Sequence, residues 1–135
     1  MNFTTGLKRT SIYAATVVLS LAATTANATC SAPAAPGVDW RGCDKSHAYL
    51  IGANLSGANL IGANLIYADL SGANLIGADL IGAILFGADL SGADLSGAML
   101  MGTVLDNANL IGADLRGAIF SDGRSCDGVS LGACN

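Results

Sequence analysis

From Ala48 to Asp122 this chain repeats every five residues, fifteen times, with no insertion or deletion. Leu holds the centre of fourteen pentads, from Leu50 to Leu115, and Phe120 holds the fifteenth. Ala stands two residues before each centre, with Thr103 the one exception; Asn or Asp usually stands one before it, and Gly usually two after. A period of five fits neither an α-helix, at about 3.6 residues per turn, nor a plain strand. It fits a strand alternation interrupted at regular intervals. Ala and Leu, two apart in an extended segment, face one side, and the Asn or Asp between them faces the other. The last two residues turn the corner, where Gly tolerates backbone angles that Leu or Ile would resist. Repeated turning in one sense coils the chain about an axis, with Leu and Ala inside. Coils then stack like strands, about 4.8 Å apart. A buried Leu contributes roughly 1.5–3 kcal/mol, against about 1–2 kcal/mol of entropy for each residue fixed. No coil can stand alone, so the stability comes from stacking.

Pentads such as Ala53-Asn54-Leu55-Ser56-Gly57, Ala88-Asp89-Leu90-Ser91-Gly92 and Ala113-Asp114-Leu115-Arg116-Gly117 resemble the pentapeptide-repeat family, whose consensus is A(D/N)LXX. The resemblance spans 75 of 135 residues. It implies an all-β fold: a right-handed quadrilateral parallel β-helix with four pentads to a coil, which gives about four coils here. The number four comes from the resemblance. Outward apolar residues recur twenty apart (Ile61, Ile81, Met101) but also fifteen apart (Ile84 and Met99, Val104 and Ile119), so the spacing leaves square and triangular coils open.

Residues 1–28 read as a secretory signal peptide. Lys8 and Arg9 form its basic start, Ile12 to Ala23 its apolar stretch, and Ala26-Asn27-Ala28 an A-x-A cleavage site. The mature chain then begins at Thr29, in the periplasm or outside the cell. The competing reading is an uncleaved anchor, for which the Ser-, Thr- and Asn-diluted stretch up to Ala28 is marginal in length. Without Lys8 and Arg9, four basic residues face ten Asp, a net charge of −6. That balance argues against nucleic-acid or anionic-membrane partners.

Cys30 and Cys43 precede the repeats, and Cys126 and Cys134 follow them. An even count behind a signal peptide reads as disulfides. The repeat block separates the two sets by more than the roughly 7 Å that a disulfide spans between Cα atoms. Local pairing, Cys30 with Cys43 and Cys126 with Cys134, follows. Residues 29–47 are expected to form an N-terminal cap of degenerate repeats, with Trp40 plugging the apolar end and Lys45 snorkelling outward. Residues 48–122 form the β-helix, and 123–135 a turn-rich C-terminal cap. Such caps would cover the open strand edges.

A core of Leu and Ala offers no pocket of convergent polar groups, so no catalytic, cofactor or metal site is expected. His47, the one histidine, lies near Asp44 and Cys43, yet no second imidazole and no Glu is present to complete a site. Ser56, Ser71, Ser91 and Ser96 have no base partner. Family members that inhibit DNA gyrase resemble DNA in shape and charge. On four-pentad coils Asp69 and Asp89 share one face, and Asp94 and Asp114 the next. This gives an alternative function, a DNA-mimic inhibitor of a gyrase-like enzyme, which requires a chain that stays in the cytoplasm. Half of the comparable positions are Asn, and short Asx side chains also bond to local backbone at bends.

The leading expectation is an exported, non-enzymatic scaffold for protein–protein interaction. On four-pentad coils two adjoining faces carry apolar side chains outward: Ile61, Ile81, Met99, Met101 and Ile119 on one; Ile66, Tyr67, Ile84, Phe86 and Val104 on the other. The two remaining faces carry mostly Asn, Asp and Ser, with Tyr49, Ile51, Ile76 and Ile111 scattered among them. An apolar surface of roughly several hundred Å² is at or above what monomers usually leave bare. Ile and Val also favour β geometry as isolated spots. The surface nominates a partner, most simply a second copy or an envelope protein.

Overall fold

The computed structural model describes residues 28–120. Its backbone is a parallel β-helix. Bridges join residues twenty apart, from Asp39 with Asn59 and Asp44 with Asn64 through Asp94 with Asp114. Four pentads therefore make one coil, which decides for the square over the triangle. Two short strands, β1 (Met99–Leu100) and β2 (Ile119–Phe120), extend the same parallel register. Elsewhere each side of the square pairs through one residue, because only Ala-x-Leu lies between successive turns.

The hydrogen bonds follow the pentad. The Leu50 amide donates to the Asp69 carbonyl (2.7 Å), and the Asn74 amide donates to the Ala53 carbonyl (2.9 Å). Each corner closes on itself, as where the Ala53 amide donates to the Leu50 carbonyl at 3.0 Å. The third residue of that turn, Gly52, has φ +62°, a conformation that L-residues avoid and that type II turns require.

Four faces result. The first is centred on Trp40, Leu60, Leu80, Leu100 and Phe120; the second on Lys45, Leu65, Leu85 and Leu105; the third on Leu50, Leu70, Leu90 and Leu110; the fourth on Leu55, Leu75, Leu95 and Leu115. Inside, every central Leu from Leu55 to Leu95 is fully buried, and so are the Ala residues from Ala58 to Ala98. Thr103, in an Ala slot, donates its hydroxyl to the Leu80 carbonyl (2.7 Å) and so satisfies its own polar atom. Leu105 and Leu110, on the last described coil, are half-buried.

At the N-terminal end Trp40 occupies the Leu slot and is 1% exposed. Its indole N–H donates to the Ala32 carbonyl (3.1 Å). Cys43 takes an inward Ala slot and is bonded to Cys30. Lys45 departs from expectation. It does not snorkel into water but folds across the cap. Its ammonium lies 3.8 Å from the Trp40 ring centroid and donates to the Cys30 carbonyl (2.7 Å). A cation–π contact and a charge-assisted bond replace water there, and the side chain roofs the indole. The signal peptide, the C-terminal cap and the Cys126–Cys134 pairing lie outside the described residues.

Candidate interaction surface

The outward Asx residues are bound to their own corners. Asn54, Asn59, Asn64, Asp69, Asn74, Asp79, Asp89, Asp94, Asn109 and Asp114 each accept, through Oδ1, the amide N–H two residues on, at 2.9–3.3 Å. Ser71 and Ser96 add hydroxyl bonds to Asp69 and Asp94. Between coils, the Asn64 amide reaches Asp44 (3.2 Å) and the Asn109 amide reaches Asp89 (3.1 Å). Hydrogen bonding to the charged form lowers a carboxyl pKa. Asp89 is held below the ordinary range chiefly by the Ser91 side chain, and Asp44 chiefly by the Ser46 amide. Arg41 and Arg116 do the same for Asp39 and Asp114, as the side-chain partners in two surface ion pairs. Asp69 stacks beside Asp89 and Asp94 beside Asp114, but each carboxylate also serves its turn, and Arg116 neutralises Asp114.

Five outward positions depart from this grammar: Tyr49 on the third face, and four on the first two faces. Ile84, Met99, Val104 and Ile119 stand where an Asx would accept the amide two residues on. They cluster in the upper parts of the first two faces. Met99 and Ile119 adjoin directly, as do Ile84 and Val104. Beside them run the columns Ile61, Ile81, Met101 and Ile66, Phe86. Each is only partly open: Ile61, Ile84, Met101, Val104 and Ile119 are 37–38% exposed, while Ile66, Ile81, Phe86 and Met99 are half-buried against their neighbours. All ten sequence-nominated residues therefore lie on two adjoining faces and the corner that closes the second. The apolar side chains most open to water lie elsewhere: Tyr49 (89%), Ile111 (70%) and Ile51 (64%), all on the third face.

The corner closing the second face is a feature that the periodicity reading missed. Its column is His47, Tyr67, Gly87 and Asn107. Among the described residues, the three non-glycine positions with positive φ are His47 (+58°), Tyr67 (+54°) and Asn107 (+58°). A left-handed backbone costs an L-residue about 1–2 kcal/mol; Asn and His enter that region more readily than most, whereas for a bulky Tyr it is an outlier. The rings form a chain. His47 stacks on Tyr67, with centroids 5.4 Å apart, and Tyr67 meets Phe86 edge-on at 5.7 Å. Such pairs contribute about 0.5–1.5 kcal/mol each, enough to offset the strain and little more. Gly87 is required beneath them, since a Cβ there would collide with the Tyr67 ring. Tyr67 nonetheless stays 53% exposed.

His47 has no metal-binding company: among the described residues no group of three or more His, Cys, Asp or Glu is placed to hold an ion.

The family model for pentapeptide repeats matches residues 37–65, 46–82 and 83–122, in eight copies. Comparison with curated proteins gives no match. Among solved structures, the pentapeptide repeat protein alr5209 from Nostoc Pcc 7120 is 43% identical, with a TM-score of 0.59 over 60% of this chain and 67% of its own. The pentapeptide repeat protein Rfr23 from the cyanobacterium Cyanothece 51142 is 39% identical, with a TM-score of 0.57 over 58% of this chain. This chain spans 54% of the length of Rfr23. With its pentad register, square coils and family match over 37–122, the chain belongs to the pentapeptide-repeat family.

Proposed function

We propose that this protein is an exported, non-catalytic scaffold that binds another protein through the apolar surface of its first two faces. The observation that carries this reading is the placement of Ile84, Met99, Val104 and Ile119. Each gives up the local Asx hydrogen bond that, Tyr49 apart, the other described pentads keep, and the four lie together on two adjoining faces. Aliphatic and Met side chains in that arrangement suit burial against a partner. Export is supported by the Cys30–Cys43 disulfide, a bond that persists in oxidising compartments, and by the A-x-A site ahead of Thr29. A second local disulfide, Cys126 with Cys134, completes the proposed design. The acidic balance argues against nucleic acid as a partner.

The test has two parts. Cell fractionation with N-terminal sequencing should find a chain beginning at Thr29 in the exported fraction. An intact chain in the cytosol would favour the gyrase-inhibitor alternative instead. Phe86→Asp combined with Ile81→Asp should preserve the β-type circular dichroism and abolish association. Unchanged association in the double variant would count against this surface.

A further inference from the structure

Within the proposed interaction surface, the corner of His47, Tyr67 and Phe86 stands out on three independent grounds. The backbone there is left-handed at residues where every other positive-φ corner uses Gly. Ring stacking only offsets that strain, so the stability of the isolated rod does not account for an exposed Tyr67. The rings also lie one above another along the rod, which stiffens them before any partner arrives.

The order of residues along this corner identifies the partner. Level by level, the outward pairs are Ser46-His47, Ile66-Tyr67, Phe86-Gly87 and Asp106-Asn107. Two apolar levels lie between two polar ones. The equivalent columns elsewhere do not share this order. Arg41, Ile61, Ile81 and Met101 are polar at one end only; Ile51, Ser71, Ser91 and Ile111 are also mirror-symmetric but put their polar levels at the centre, the reverse of interface anatomy; Ser56, Ile76, Ser96 and Arg116 have a single apolar level. A strip that reads polar–apolar–apolar–polar is complementary to itself when one copy is inverted, which is the condition for an isologous dimer.

We infer that this corner is the self-association site, and that its occupant is a second, antiparallel copy of this chain. The two-fold axis crosses the rod between the levels of Tyr67 and Phe86. At the centre Ile66 and Tyr67 of each copy meet Phe86 of the other. At each end the His47 imidazole faces the Asp106 carboxylate of the second copy. An apolar centre with a polar rim is the usual interface anatomy. The four levels span roughly 14 Å at the sheet spacing. That is small for a protein interface, so the dimer is weak and forms at high concentration.

This inference rests on the proposed interaction surface, and sedimentation equilibrium separates the two. The exported wild-type chain should approach twice its monomer mass as concentration rises. Tyr67→Gly, which restores the corner residue used elsewhere, should remain monomeric with unchanged circular dichroism and thermal midpoint. His47→Asp alone and Asp106→Lys alone should each weaken the dimer, and the two together should restore it. A wild-type chain that is monomeric at every concentration overturns the inference. So does a Tyr67→Gly variant that dimerises like wild type. If that variant dimerises while Phe86→Asp with Ile81→Asp does not, the proposed surface associates without the Tyr67 ring. The inference then fails and the proposed function survives.

Discussion

The second and fourth faces of the rod share one interior and differ outside. Leu65 and Leu85 on one, Leu75 and Leu95 on the other, are equally buried. Outward, the fourth face keeps the consensus: Asn54, Asn74, Asp94 and Asp114 each close a local turn. The second face begins the same way with Asp44 and Asn64, then changes to Ile84 and Val104 and closes on the His47–Tyr67 corner. The central coils do not account for this difference, because Leu65 and Leu85 are as fully buried as Leu75 and Leu95. The fold specifies the inward positions and tolerates the outward ones, so the departures of the second face are read as serving a partner.

The largest expected effect tests the shared interior. Leu85→Ala and Leu75→Ala should each destabilise by about 2–5 kcal/mol in denaturant melts. A much smaller loss on one face would mean that the two interiors are not equivalent.

Reducing Cys30–Cys43 asks whether both faces rest on the same cap. The expected loss is about 2–4 kcal/mol. Trp40, the chain's single Trp, should shift its emission to the red as the cap loosens. The central coils should retain their hydrogen-exchange protection. An unshifted emission after complete reduction would show that packing, not the bridge, holds the cap.

The outward contrast is sharpened by exchanging the two grammars. Asp94→Ala removes the acceptor of the Ser96 amide and hydroxyl and should cost about 0.5–1.5 kcal/mol. Ile84→Asn installs the missing acceptor and should leave monomer stability unchanged or raised. A destabilised Ile84→Asn monomer would show that Ile84 is there for the rod and not for a partner.

The smallest effect is that of pH. Asp89 has a folded pKa below its ordinary value. Such a group contributes stability that is present above the unfolded pKa and is lost as pH falls through the folded one. Stability should therefore decline below about pH 4, and Asp89→Asn should flatten that decline. Equal acid slopes in melts of the two proteins would contradict the role given to the Ser91 bonds.

How much could be read beforehand follows from where the physics is local. Ala-Asx-Leu-x-Gly already dictates which side chain faces in and which residue turns, and each Asx bond spans two residues. The column Leu55, Leu75, Leu95 and the local Cys30–Cys43 pairing were legible for that reason. The twenty-residue register is also present in the corner position. Between positions 42 and 117 that position departs from Gly only at His47, Tyr67 and Asn107, which lie multiples of twenty apart. Its meaning depended on contacts between coils. The course of Lys45 over Trp40, the collision that reserves Gly87 for Tyr67, and the ring chain to Phe86 all join residues separate in sequence. Spacing along the chain determined the inside of the rod, since burial there is set by alternation. Only the stacked structure decided what the outside presents, because neighbours on a face are one coil apart and no local rule relates them.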